Sequence, residues 1–167
     1  ARSQCMQNSE FELALEWINT THSPLFICGK AGTGKTTFLK KLSWDTYKKL
    51  IIVSPTGIAA SNAGGATIHA QFNLPLNFIP PRGRGVLDNI SFNKSKRRTL
   101  VEMELLVIDE ISMLRADMLD NVDYLLKKIR GSLLPFGGVQ LLLVGDPFQL
   151  PPVVREKDWK ILNDAYE

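Results

Sequence analysis

Four short apolar runs punctuate the chain: Leu25 to Cys28, Leu50 to Val53, Leu105 to Ile108 and Val139 to Val144. Each is apolar at nearly every position and ends in glycine, serine or an acid, which is the pattern of strands buried on both faces. Between them the spacing changes to a helical period. Phe11, Ala14, Leu15 and Ile18 recur at i, i+3, i+4 and i+7 behind Ser9-Glu10-Phe11-Glu12, which reads as a capping box. From Asp117, the stripe Met118, Val122, Leu125, Leu126 and Ile129 is closed by Lys127, Lys128 and Arg130 before Gly131. Thr36 to Leu42 and Ile58 to Ala63 read as shorter helices. Strands alternating with helices predict an α/β domain, a three-layer parallel sheet with helices on both faces. Ligands in such folds bind outside the carboxyl ends of the strands. Residues 74–98, rich in proline and glycine, are too long for an ordinary connection and read as an elaborated surface loop. Residues 1–8 read as a frayed terminus.

The polar motifs follow those strand ends. Gly29-Lys30-Ala31-Gly32-Thr33-Gly34-Lys35-Thr36 fits G-x-x-x-x-G-K-[ST], a loop whose backbone N–H groups curl around phosphates at a helix N-terminus. With Thr37 it forms a candidate triphosphate cradle, in which Lys35 reaches the β- and γ-phosphates and Thr36 holds Mg²⁺. A glycine-rich turn with a chance lysine is the plain alternative, and the strand-loop-helix setting weighs against it. Asp109 suits a metal-holding carboxylate beside Thr36, and Glu110 suits a group that aligns or deprotonates an attacking water. A helix-start acid pair is the bland reading of those two. In Gly145-Asp146-Pro147-Phe148-Gln149-Leu150-Pro151-Pro152, Gln149 stands where an amide can meet the γ-phosphate or the water. That segment also reads as a turn that merely ends the sheet.

Composition narrows the field modestly. With 167 residues, 44% hydrophobic and 22% charged, the chain suits one globular domain and excludes a disordered one. A net charge of +3 is compatible with a polyanionic partner without establishing one. Cys5 and Cys28 make no disulfide framework, which favours a reducing, cytoplasmic setting, and no apolar run reaches membrane-spanning length. Between Arg82 and Arg98, the cations Arg82, Arg84, Lys94, Lys96, Arg97 and Arg98 face one acid, Asp88, with Phe92 among them. A solvated loop is the first reading and a nucleic-acid contact the second.

Five motifs taken together resemble the Pif-type DNA helicases of superfamily 1B: Gly29 to Thr37, Ser54 to Ala60, Ala63 to His69, Ile108 to Met113 and Gly145 to Pro152. The stretch from Leu119 to Leu141, with Pro135-Phe136-Gly137-Gly138, is also similar to that family. The resemblance implies a RecA-like P-loop ATPase over residues 1–167, the first motor domain of an enzyme that hydrolyses ATP with Mg²⁺ and moves 5′ to 3′ on single-stranded DNA. It implies that Lys35, Glu110 and Gln149 are catalytic, that Thr36 and Asp109 serve the metal, and that Pro55, Thr56, Gly57, Thr67 and His69 meet the DNA strand. Short polar side chains and backbone amides at a strand end can bond phosphate oxygens without reading sequence. Taken alone, Thr56-Gly57 reads equally well as a helix cap and His69 as a structural hydrogen-bonding residue. An adenine-reading glutamine is expected before the first helix, and Gln7 or Gln4 serves that expectation, although the surrounding residues depart from the motif. None of the family's later motifs occurs before Glu167. A second RecA-like domain, with its phosphate-stabilising arginine, is therefore expected as the partner of a poorly active, monomeric half. A nucleotide-dependent DNA- or protein-binding switch and a RecD-like recombination helicase are the alternatives.

Overall fold

The structure, a computed structural model, describes residues 8–30, 32–80, 84–149 and 152–166. Helix α1 (Asn8–Thr20) leads to strand β1 (Leu25–Cys28), helix α2 (Lys35–Asp45) and strand β2 (Leu50–Ser54). Short helix α3 (Gly57–Ala63), strand β3 (Ala66–Thr67) and helix α4 (Ile68–Phe72) follow, then α5 (Arg84–Asp88), α6 (Lys94–Glu102) and strand β4 (Leu105–Ile108). A 3-10 turn (Ile111–Met113) precedes α7 (Ala116–Arg130), a second (Pro135–Gly138) precedes β5 (Gln140–Gly145), and α8 (Glu156–Tyr166) completes the described chain.

The strands pair in parallel in the order β1-β5-β4-β2-β3. Successive side chains of a strand point to opposite faces, and this alternation builds two cores. Leu105 and Val107 of β4 pack with Ile18, Phe38, Leu39 and Leu42 from α1 and α2. Leu106 and Ile108 pack on the other face with Ile68, Phe72, Leu100, Val122, Leu125 and Leu126. All four β4 residues are 0% exposed, and burying each such side chain contributes up to about 1.5–3 kcal/mol. The helices therefore cover both faces, as the apolar runs predict.

Several local features differ from the sequence expectation. Strand β1 lies at the sheet edge and buries only alternate residues incompletely, leaving Phe26 51% exposed and Cys28 exposed, so this run is not a fully buried strand. The two-residue β3 is too short to leave a hydrophobic period. Helix α1 is already helical at Asn8, so Ser9 lies inside it. Residues 74–98 are more than a surface loop: they supply α5 and the start of α6, and they bury Leu74, Ile79 and Leu87 in the α7-side core. Phe92 packs against that same core. Lys96 Nζ donates to Ala70 O at 2.5 Å and Asn73 Oδ1 at 2.7 Å, tying α6 to the end of α4, and Arg98 pairs with Glu102.

The Pro135–Gly138 turn is locked to α7 and α6 by charged groups. Asp123 Oδ1 accepts the Phe136 N–H at 2.6 Å, while Arg130 Nε donates to Gly137 O at 2.9 Å. Arg130 Nη1 also meets the carbonyls of Leu100, Val101 and Met103 at the end of α6, where a cation complements the helix dipole. Gly137 has φ 65°, and a Cβ there would sit 2.7 Å from Leu126 O.

Candidate nucleotide and nucleic-acid sites

The register aligns the carboxyl ends of the strands, so the motifs that follow them share one edge. Cys28 lies opposite Gly145, and Val53 opposite Ile108. Two bonds extend the ladder past the strands: Gly29 N–H to Gly145 O at 3.2 Å, and Asp109 N–H to Val53 O at 2.9 Å.

At this edge Gly34 adopts φ 90° as the N-cap of α2 and, lacking a side chain, leaves the first-turn N–H groups without a side-chain acceptor. Thr33 Oγ1 instead donates inward to Lys30 O at 2.9 Å, closing the loop on itself. Lys35 Nζ folds over the same loop, donating to Gly29 O and, at 2.8 Å, to Lys30 O. Thr36 and Thr37 are exposed on the first turn of α2. Ala31 and Gln7 lie outside the described residues.

Asp109 is 7% exposed. Burial pushes its pKa above the ordinary value, opposed by the Glu110 N–H bonded to its Oδ1 at 2.9 Å and by the nearby Lys35 charge. Glu110 itself has φ 54°, a conformation uncommon for a residue with a side chain and one found at functional turns. The turn is braced from β5: a Cβ on Gly145 would come within 2.7 Å of Ile111 Cγ2. Past β5, Asp146 Oδ1 accepts the Phe148 N–H at 3.0 Å and Asp146 O accepts the Gln149 N–H at 3.1 Å, a turn that carries the half-buried Gln149. Leu150 and Pro151 lie outside the described residues. The buried hydroxyls Ser54 Oγ and Ser112 Oγ, also near this edge, have no hydrogen-bond partner among the described residues.

This arrangement suits a bound triphosphate and Mg²⁺. It combines backbone donors at a helix N-terminus, a flexible ammonium already seated on the loop, and the hard oxygen donors Thr36 and Asp109. Magnesium is commonly held by one or two carboxylates plus phosphate oxygens and water.

The five residues expected to meet DNA divide into three groups. Thr56 and Thr67 are N-caps: Thr56 Oγ1 accepts from Ala59 N–H at 3.3 Å in α3, and Thr67 Oγ1 from Ala70 N–H at 3.1 Å in α4. Gly57 begins α3 and is exposed. Pro55 and His69 share the wall of a cavity of about 280 Å³ with Phe78, Arg115 and Arg155. Burial lowers the His69 pKa, and the positive charge of Arg115 lowers it further. Sequence reasoning missed Arg115 and Phe78, which belong to no motif and meet only through the tertiary fold. No helix among the described residues is long and apolar enough to cross a membrane.

Known proteins share both this sequence and this fold. The family model described as PIF1-like helicase matches residues 5–165. The chain is 39% identical over 159 residues to the ATP-dependent DNA helicase PIF1 of Saccharomyces cerevisiae, covering 89% of this chain and 18% of that protein. The ATP-dependent DNA helicase RRM3 of the same species is 32% identical over 177 residues, covering 100% of this chain and 24% of that protein. Among solved structures, Pif1 helicase from Bacteroides in complex with ADP-AlF3 and ssDNA superposes with a TM-score of 0.89 at 45% identity, covering 96% of this chain and 37% of the other. Pif1 helicase from Candida albicans gives a TM-score of 0.76 at 34% identity, covering 91% of this chain and 35% of that one. The chain spans only about a fifth to a quarter of the two curated relatives. With a family model spanning nearly its whole length and relatives that share its fold, the chain belongs to the PIF1-like helicase family.

Proposed function

We propose that this chain is the first RecA-like motor domain of an ATP-dependent DNA helicase that moves 5′ to 3′ on single-stranded DNA, working with a second RecA-like domain. The observation that carries the reading is the meeting, at one sheet edge, of a phosphate loop with Lys35, a buried Asp109 and a turn-held Glu110. Family members named as ATP-dependent DNA helicases, and a solved relative bound to ADP-AlF3 and ssDNA, support it.

In this reading Lys35 exchanges the Gly29 and Lys30 carbonyls for phosphate oxygens, so the loop opens as nucleotide enters. Thr36 and Asp109 would hold the magnesium ion, whose chemistry when bound is to neutralise charge on the phosphates. Its charge would offset the burial cost that raises the Asp109 pKa. Glu110 orients the attacking water and accepts its proton, and Gln149 hydrogen-bonds near the transferred phosphoryl group. Gln7 is proposed to read adenine. Pro55, Thr56, Gly57, Thr67 and His69 form the DNA-facing side, where Thr56 and Thr67 also cap their helices and the two roles coexist, since a hydroxyl that accepts can still donate.

Replacing Glu110 with Gln in the full-length protein tests the assignment. Nucleotide binding is expected to persist while turnover falls about 10²–10⁴-fold, the usual contribution of a positioned general base. Unchanged turnover in a steady-state phosphate-release assay would remove Glu110 from the mechanism.

A further inference from the structure

The carboxylate turn and the proposed DNA-facing residues meet at one side chain outside both sets. Arg115 is the N-cap residue of α7, joined to Glu110 by the 3-10 turn Ile111–Met113 and the Leu114 N–H to Ile111 O bond. Its guanidinium grips Asp117 bidentately, Nε to Oδ1 at 2.9 Å and Nη2 to Oδ2 at 2.7 Å. Asp117 is 0% exposed and Arg115 20%, so this fork is shielded from water and held in one geometry. The guanidinium carbon lies over the Phe78 ring, 5.1 Å from its centroid, a cation–π contact. Phe78 belongs to the insertion between α4 and α5, and it shares a cavity wall with Pro55 and His69. Asp158 on α8, 6% exposed, adds a further charge interaction with Arg115.

Each contact ties Arg115 to a different part of the molecule. Backward along the chain it is tied to Glu110, and through Ile111 to Gly145 and the Gln149 turn. Through Phe78 it is tied to the insertion and the cavity wall that holds His69. A shift of the carboxylate turn cannot leave Arg115 behind, because the connecting turn is short and hydrogen-bonded. A shift of Arg115 must either drag Phe78 or break the cation–π contact, since the Asp117 fork fixes how the guanidinium is presented.

We propose that Arg115, acting through its cation–π contact with Phe78, is a positioning residue that couples the nucleotide edge to the DNA-facing side. The proposal rests on the motor reading above. Among the described residues neither forms a hydrogen bond or ion pair with Lys35, Asp109, Glu110 or Gln149, so their loss is expected to affect communication between the sites more than either site alone.

The test compares Arg115→Lys, Phe78→Leu and Phe78→Tyr in the full-length protein. Lysine keeps the charge beside Asp117 without the fork, leucine keeps apolar bulk without the ring, and tyrosine keeps the ring. The readouts are basal turnover, nucleotide KM, nucleotide-free single-stranded DNA affinity and DNA-stimulated kcat. Expected in Arg115→Lys and Phe78→Leu is a loss of about tenfold in DNA-stimulated kcat, within the usual range of coupling between sites, with the other quantities within about twofold. Phe78→Tyr should restore stimulation. Stimulation that survives in Arg115→Lys, basal and stimulated rates that fall by the same factor, or nucleotide-free DNA affinity that falls as far as stimulation would each overturn the coupling role. Should Arg115→Lys fail to fold, the contrast of leucine with tyrosine at Phe78 decides alone. A wild-type protein without DNA-stimulated turnover would instead sink the motor reading, and this inference with it.

Discussion

Asp109 illustrates how a site can oppose the stability of the chain that carries it. Its carboxyl is held above its ordinary pKa of 3.8 by burial, only partly relieved by the Glu110 N–H and Lys35. For an acid whose folded pKa is raised, the ionised form weakens the folded state. The cost is absent below 3.8, grows as pH rises through the window up to the raised value, and is fully present above it. Asp109→Asn keeps the oxygen that accepts the Glu110 N–H and removes the charge. In the absence of nucleotide and metal, this variant is therefore expected to raise Tm by a few degrees at pH 7.5, with the gain vanishing below pH 4. On the proposed metal role, it should also lose the added stabilisation that Mg²⁺ would give the nucleotide-bound protein. Thermal melts across that pH range check both, and a lower Tm at pH 7.5 would show that burial does not dominate at Asp109. The same paired behaviour, greater stability with lost function, is expected where a site is built at a cost to the fold.

Among the secondary elements, helix α7 does the most to hold its neighbours in place. Asp123, Lys127 and Arg130 line up along it, pairing with each other or with the Pro135–Gly138 turn and the end of α6. That turn tolerates no side chain at Gly137, whose φ of 65° and 2.7 Å approach to Leu126 O both exclude one. Gly137→Ala is expected to cost about 1–3 kcal/mol, a Tm loss of roughly 2–10 °C measured by thermal denaturation, and an unchanged Tm would refute the packing argument. A finer distinction concerns α6. Lys96 is engaged with Ala70 and Asn73, whereas Arg97 is exposed. Lys96→Met should lower Tm by about 2–4 °C, corresponding to about 1 kcal/mol, while Arg97→Ser leaves it unchanged. Equal effects on the two melts would show that the α4 tie is dispensable. The sequence alone showed a basic cluster and could not separate these lysines and arginines, because the carbonyl that Lys96 meets is 26 residues away in the chain. By contrast, the α7 stripe was readable, since Val122, Leu125 and Leu126 repeat with the helical period and all three are buried.

At the scale of the whole molecule, the sheet brings the motifs to one edge and leaves them there. Continuous apolar runs made the central strands legible: β4 is buried on both faces, and its two faces feed separate cores. The edge strands were less so, because β1 is half exposed and β3 has only two residues. The phosphate-loop pattern and the acid pair could be proposed from the sequence because the chemistry assigned to them needs fixed spacing within a few residues. Arg115 and Phe78 were not, because 37 positions separate two groups that meet only in three dimensions. The same layout sets the last expectation. Thr36 and Thr37 are exposed and Gln149 only half-buried, so the proposed nucleotide edge is accessible at these residues. An arginine that stabilises the transferred phosphoryl group is worth about 10³–10⁵ in turnover in related phosphoryl-transfer enzymes, and the proposed second domain would supply one. The 167 residues alone should therefore bind Mg²⁺-nucleotide, with a Tm that rises as ligand is added, yet turn over at least about 10³-fold more slowly than the full-length protein. Single-stranded DNA should not restore the rate. Titration calorimetry alongside phosphate-release kinetics separates the two halves of that statement. Binding without turnover fits a motor that a second domain of the same full-length protein completes, whereas DNA-stimulated turnover at the full rate would mean that this chain carries its own transition-state cation.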